Sequence, residues 1–324
     1  MSRASTGAVL WLLLAGATPT HGAVLERTGY VMGTMLSVVI DSPDSALAAR
    51  ALDTAFALTS RLDCLLSNYR PDSELSRIGR EAPAPVSLSP LTLDFLSRTL
   101  SWCDRSAGAL DPTVGTLVHA WGFDSEHPAR PEANVLDSAS RLCGYRKVRL
   151  DTTAQTASMP CGFNLDPGAT GKGYALAVVD RALLGMGVTR WNADFGGQLF
   201  CRGTDSLLIP VRHPRSDTTA LAWLTFALGS VSTSGDYERY FDEGGKRYAH
   251  ILDPRTKSPV QGRASVTVYA PDAFDADALS TALFVLGPQA AGRLLEQAGA
   301  GALFAEWNGE TLELIIVGAW PSAR

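Results

Sequence analysis

Asn164-Leu165-Asp166-Pro167-Gly168-Ala169-Thr170-Gly171-Lys172-Gly173-Tyr174-Ala175 packs a carboxylate, a run of small residues and a lysine into one short segment that then reads as the start of a helix. Glycine lets a backbone come close to a ligand, a helix N-terminus attracts anions, and a lysine there adds a mobile positive charge. The combination points to a phosphate-bearing ligand. A P-loop is excluded, because G-x-x-x-x-G-K-[ST] needs glycine where Asp166 stands and a hydroxyl residue where Gly173 stands. The competing reading is a Gly-rich strand-to-helix turn with no ligand.

Outward from this segment, a helix is expected from about Gly171 to Gly185. Upstream, Tyr30 to Ile40 alternates and is rich in β-branched residues near its end, which reads as one strand. Asp44 or Ser45 then caps a helix on which Ala48, Leu52, Phe56, Thr59, Leu62 and Leu66 recur, stopped by Asn68-Tyr69-Arg70-Pro71. A second helix is expected from Ser89 to about Ser106, with Leu93, Leu96, Leu100 and Cys103 on one face and Gly108 beyond its end. Residues 121–134, with Pro128, Pro131 and mixed charges, read as exposed connection. Downstream, residues 207–211, 220–228, 265–269, 302–307 and 312–317 read as strands, with helices near 276–286 and 289–298. Strands in runs, without strict βαβ alternation, argue for α+β: one compact domain over residues 23–324, with room for two lobes, mixed or antiparallel sheets and a central cleft.

The chain has 324 residues, 46% of them hydrophobic, enough for a large core. Residues 1–22 are of another kind: Arg3, an apolar run from Ala8 to Ala15 and a small-residue segment, which is too short to span a bilayer and suits a signal peptide cleaved after Gly22. The first cysteine is Cys64, so no lipid-anchoring cysteine follows the run, and the expectation is an exported, periplasmic protein, soluble or peripheral to the inner membrane. Loss of residues 1–22 removes Arg3 alone among charged residues and takes the formal charge from −5 to −6. An acidic chain without a basic block excludes nucleic acid as a partner. The cysteines Cys64, Cys103, Cys143, Cys161 and Cys201 lie far apart and show no metal-binding spacing, so several read as small buried hydrophobes.

Further segments carry chemistry-bearing side chains. Asp277 and Thr281 stand four apart in a helical stretch and offer a carboxylate and a hydroxyl from one face, a pair suited to a hard cation such as Mg2+ or, in the plainer reading, an acidic first turn. Ser232-Thr233-Ser234-Gly235-Asp236-Tyr237 and Arg239-Tyr240-Phe241 precede Tyr248-Ala249-His250-Ile251-Leu252-Asp253-Pro254, where His250 is a candidate general base or a structural histidine. Residues 67–76 and 108–115 read as capping turns, in which Tyr69, or the backbone from Ala109 to Asp111, is also placed to meet a flat ring.

Taken in order, these segments resemble the ApbE-type FAD:protein FMN transferase family. The matching motifs are Met32-Gly33-Thr34, Tyr69 to Ser76, Leu110 to Gly115 with Trp121-Gly122-Phe123, Asn164 to Ala175 (the opening loop), Asn192 to Gly197, Thr233 to Tyr237, His250 to Pro254, and Asp277 with Thr281. The resemblance spans nearly all of the chain after residue 22. It implies an ApbE-like fold with FAD as substrate and Mg2+ in a cleft, with Asp277, Thr281 and the Ala169 carbonyl as metal ligands. It implies that Met32, Tyr69, Ala109, Leu110, Asp111, Asp166, Lys172 and Ile251 line the flavin nucleotide. His250 is then the catalytic base, with Asp253 as its orienting partner. The implied reaction moves FMN from FAD to a threonine (or serine) hydroxyl of an acceptor protein, typically a subunit of a membrane redox complex, and releases AMP. The alternatives are an FAD pyrophosphatase using the same site with water as acceptor, and a periplasmic flavin-binding protein without turnover. Two positions depart from the family pattern: Lys257, where glycine is usual, and Gln198 after Gly196-Gly197.

Overall fold

The computed structural model describes residues 22–216 and 218–321, so nearly all of the segment read as a signal peptide lies outside the described residues. Its frame is an eight-stranded sheet in which every strand pairs antiparallel with the next one in the chain. The strands are β1 (Ala23–Val31), β2 (Thr34–Ser42), β3 (Trp191–Phe195), β4 (Gln198–Arg212), β5 (Ala220–Gly235), β6 (Arg263–Ala270), β7 (Gly301–Trp307) and β8 (Leu312–Gly318). The helices are α1 (Ser45–Leu66), α2 (Glu74–Arg80), α3 (Pro90–Arg105), α4 (Gly115–Ala120), α5 (Ala133–Arg141), α6 (Gly171–Gly185), α7 (Ala273–Leu286) and α8 (Ala291–Ala298). The α+β expectation holds, and α1, α3 and α6 fall where capping and periodicity put them. Asp44 accepts from the Ala46 and Leu47 N–H groups and Ser89 from Thr92 N–H, which satisfies donors that a helix start leaves unpaired.

Four expectations need correction. The single strand over Tyr30 to Ile40 is a hairpin: Met32 and Gly33 take φ of 49° and 77°, and Val31 pairs with Thr34. Positive φ at both central residues matches the right-handed twist of the flanking strands, but a methionine there gives no turn signal. Residues 207–211 and 220–228 are fragments of longer strands, since β5 continues through Gly229 and a run of hydroxyl residues that lacks apolar alternation. Residues 67–76 hold the start of α2 as well as a turn. Residues 121–134 are not all exposed: Trp121 and Phe123 are buried with Leu117 and Leu252, and Trp121 stacks on Tyr248 with ring centroids 5.7 Å apart.

One face of the sheet carries the main core. Leu36, Val38 and Ile40 of β2, Val266 and Val268 of β6 and Phe304 of β7 meet α1, α6 and α7 there. Helix α6 lies between α1 and α7 and is buried on most sides, as is α7, so both are apolar nearly all round rather than striped. A second cluster, built on Ile209, Leu224 and Phe226, fills the curl of β4 and β5 on the other face. Cys103 and Cys201 are buried, as their reading as small hydrophobes requires. Among the described residues no helix is long and apolar enough to cross a membrane.

The closest approach in the helix layer is at Gly173. A Cβ there would lie 2.4 Å from the Ala273 carbonyl oxygen and 2.6 Å from Asp277 Cβ, so only glycine lets α6 reach α7. Gly173→Ala is expected to lower stability by about 1–3 kcal/mol through overpacking. Gly185→Ala, where a Cβ meets nothing within 4 Å, is expected to be neutral or stabilising. Thermal unfolding of the two variants checks the contrast; equal effects would show that α6 does not need this contact.

Candidate active site

The N-terminus of α6 and the first turns of α7 meet over Asp277, which is 3% exposed. Its Oδ2 accepts from Gly173 N–H at 2.9 Å, its Oδ1 accepts from Ser232 Oγ at 3.1 Å, and Lys172 Nζ stands 3.8 Å from Oδ1. Burial pushes the Asp277 carboxyl up, against the opposing pull of Lys172, Gly173 N–H and the Ser232 hydroxyl. A second cation beside this carboxylate would therefore be welcome. Gly173 N–H is turned to Asp277, and no donor among the described residues reaches the Ala169 carbonyl. Thr281, one turn after Asp277, is partly exposed. No group of three or more His, Cys, Asp or Glu side chains among the described residues is arranged to hold a metal. One carboxylate with neutral oxygens and a free carbonyl suits Mg2+, a hard cation that keeps several waters and takes phosphate oxygens, better than an ion that needs a full protein cage.

His250 is joined to this region through shared cations. Burial first, then the Arg239 guanidinium and the Lys172 ammonium, pushes its imidazole down to about 4. The ring is therefore neutral at pH 7, and its buried Nδ1 has no hydrogen-bond partner among the described residues. The Arg239 carbonyl accepts from His250 N–H at 2.9 Å and fixes the backbone. The same two cations act on Asp166, whose carboxyl burial pushes up while Gly168 N–H, Arg239 and Lys172 oppose. Lys172 thus couples electrostatically to Asp166, His250 and Asp277 alike.

Asp253 is not the partner of His250. Arg255 holds its carboxylate in a fork at 2.8 and 2.8 Å and adds a backbone N–H at 2.9 Å, while the buried Nδ1 of His250 has no partner among the described residues. Asp111 is likewise occupied: Oδ1 accepts from the Thr113 N–H and hydroxyl, and Oδ2 from Tyr145 N–H. The side chains of Ala109, Leu110 and Ile251 are in the core, which leaves their backbone as the part able to meet a ligand. Pro112 connects this segment to the opening loop by accepting Asp166 N–H at 2.7 Å. Met32 is brought in from the β1–β2 turn, its methyl 3.4 Å from where a Cβ on Gly171 would stand. Tyr69 is 83% exposed, and its ring is not packed on the cluster.

Both departures have structural explanations. Lys257 sits at φ 61°, the left-handed region where glycine is at ease, and its ammonium reaches out to Asp137 at 3.0 Å, away from Asp277. Gln198 is buried and ties β4 to α7 by donating to Ser230 Oγ and the Ala273 carbonyl. Nothing in the sequence pattern assigns a role to Arg239 or Ser280. Arg239 is exposed at a turn, and the hydroxyls that Ser280 meets, Ser232 and Ser234 of β5, lie far from it in the chain.

A depressed histidine makes the unfolded chain the better proton acceptor, so the stability His250 contributes is full above pH 6.5 and lost as pH falls towards about 4. His250→Gln is expected to flatten the fall of the unfolding temperature across that window; an unchanged slope would show that the ring is not held neutral by burial.

Residues 32–304 match the family model described as the ApbE family. The FAD:protein FMN transferase of Treponema pallidum (strain Nichols) is 32% identical over 304 residues, covering 86% of this chain and 83% of that protein. The Pseudomonas stutzeri flavinyl transferase ApbE, crystallised in its apo form, superposes with a TM-score of 0.81 at 29% identity, covering 91% of this chain and 95% of that one. An ApbE protein from Thermotoga maritima gives the same TM-score of 0.81 at 29% identity, covering 90% and 96%. The match takes in the β1–β2 turn, the opening loop, His250 and the Asp277 helix together, and the chain belongs to the ApbE family.

Proposed function

We propose that the protein is an FAD:protein FMN transferase that moves FMN from FAD to a threonine or serine hydroxyl of an acceptor protein, with Mg2+ bound and AMP released. The observation that carries this reading is the convergence on Lys172 of a buried carboxylate, a second carboxylate and a neutral, unpartnered imidazole. Asp277, Thr281 and the Ala169 carbonyl hold the cation in this reading. Lys172, Asp166, Met32, Tyr69, Ile251 and the backbone of Ala109, Leu110 and Asp111 border the dinucleotide. Mg2+, when bound, neutralises charge on the phosphoryl oxygens.

The acceptor hydroxyl oxygen forms a bond to the FMN phosphorus, the bridging P–O bond breaks, and the electron pair leaves with AMP. His250 takes the hydroxyl proton, which its neutral state allows. An imidazole held down to about 4 is a weak base, but two of the groups that depress it are Arg239 and Lys172. The phosphates of bound FAD offset both cations and raise the proton affinity of the imidazole, so the base strengthens once the nucleotide is in place. The acceptor is proposed to be a subunit of a membrane redox complex. The site of action is proposed to be the periplasm, on the strength of the apolar run from Ala8 to Ala15.

Incubation with FAD and Mg2+, with and without an acceptor subunit, tests the reading: AMP formed only with acceptor, together with a fluorescent acceptor band, is expected, whereas equal AMP without acceptor makes the protein a pyrophosphatase. His250→Ala is expected to lower transfer by at least about 100-fold while FAD still binds. Full activity in that variant removes His250 from the base role. In NMR titrations the His250 imidazole is expected to titrate at higher pH with FAD bound than without; an unmoved midpoint refutes activation by the nucleotide.

A further inference from the structure

Between β5 and α7 runs a row of four hydroxyls. Ser232 Oγ lies 3.1 Å from Asp277 Oδ1 and 3.3 Å from Ser280 Oγ, Ser280 Oγ lies 3.0 Å from Ser234 Oγ, and Ser234 Oγ lies 3.3 Å from Thr281 Oγ1. Each hydroxyl owns a single proton, so the donors can be assigned in turn. An ionised carboxylate only accepts, which commits the Ser232 proton to Asp277. Ser280 Oγ is also 2.9 Å from the backbone carbonyl of Asp277, which likewise only accepts, and this commits the Ser280 proton. Ser280 then meets Ser234 with lone pairs alone, so Ser234 donates to Ser280. With its own proton used, Ser234 accepts from Thr281. The Ser232–Ser280 approach is left without a proton, and every other contact in the row has one.

The ordered row has a consequence at its open end. With its proton turned inward to Ser234, the Thr281 hydroxyl presents lone pairs to the mouth of the site. A threonine free to rotate would present its proton there part of the time, against the charge of a cation. We propose that Ser234 and Ser280 are positioning residues that fix the Thr281 hydroxyl as an acceptor for a divalent cation, while Ser232 fixes the carboxylate of Asp277. This rests on the assignment of Asp277 and Thr281 to the cation. Outer partners of metal ligands commonly change affinity by 10–100-fold. The pairing of β5 with β6 offers a comparison: Thr233, which alternates with Ser232 and Ser234 and so faces away from α7, forms a hydroxyl pair with Thr267 of β6 at 2.9 Å.

The probe is Mn2+, read through the loss of the free ion's EPR signal, titrated into the full chain at saturating FAD. Ser234→Ala is expected to weaken Mn2+ binding about tenfold. Ser234→Thr is expected to restore it and Thr233→Val to leave it unchanged, with thermal unfolding confirming that each variant is folded. Ser280→Ala removes the acceptor of the Ser234 proton, is expected to show a smaller loss in the same direction, and stands in if Ser234→Ala does not fold. Mn2+ binding by Ser234→Ala equal to that of the unmodified chain, or an equal loss in Thr233→Val, overturns the role of the row. If Asp277→Asn still abolishes binding in that case, the cation assignment stands. Absence of Mn2+ binding to the unmodified chain overturns both.

Discussion

The approach of α6 to α7 at Gly173 is the constraint on which the rest depends. Because no side chain intervenes, the Gly173 N–H reaches the Asp277 carboxylate at 2.9 Å, and a helix N-terminus is brought against a buried anion. The contact fixes the opening loop against the helix that carries Asp277 and Thr281. It also explains why the loop departs from the P-loop pattern. The residue after Lys172 is a packing glycine, where a P-loop needs a hydroxyl for its metal. In the proposed site that hydroxyl is Thr281, on α7.

Around that contact the electrostatics are unbalanced by design of the fold. Asp277 and Asp166 are both pushed up by burial, while His250 is pushed down by burial and by the cations that the two carboxylates attract. Each group is therefore held away from its ordinary state, and each shift is opposed by charges that a dinucleotide and a divalent cation would bring. Among the described residues, Arg215 with Asp236, Arg202 with Asp180 and Arg255 with Asp253 form ion pairs as forks. Those forks anchor turns and strands and leave the central carboxylates with incomplete partners.

Local signals in the sequence were reliable where local physics decides. Asp44 and Ser89 cap helices because a helix start needs its donors satisfied, and here they are satisfied within a few residues, whereas α6 has no side-chain cap and its Gly173 N–H finds Asp277 far along the chain. The residues of the candidate site do not single themselves out: Asp277 with Thr281 also reads as an acidic first turn and His250 as a structural histidine, and only their place in the ordered set of motifs draws them together. What could not be read was decided at long range. Met32 at φ 49° is held by the pairing of β1 with β2, and Trp121 is buried because Phe241 and Tyr248, far along the chain, close over it. The hydroxyls of β5 look like a loop sequence until α7 supplies their partners. The pairing of His250 with Asp253 failed for the opposite reason. Three residues of separation suggested a contact, but Arg255 is nearer and carries the charge.

The order of strands in the sheet bears on when the site comes into being. Neighbours along the chain are neighbours in the sheet, so β3 to β8 can pair by short steps, whereas β2 joins β3 only after residues 43–190 have been looped out. Closing so long a loop carries an entropy cost that the hairpins do not face. Met32 and the opening loop lie on one side of that junction, and His250 and α7 on the other. A partly refolded chain that has paired only its C-terminal strands therefore has His250 and α7 in place without the Met32 turn and the loop around Lys172, and the site is complete only when β2 joins β3.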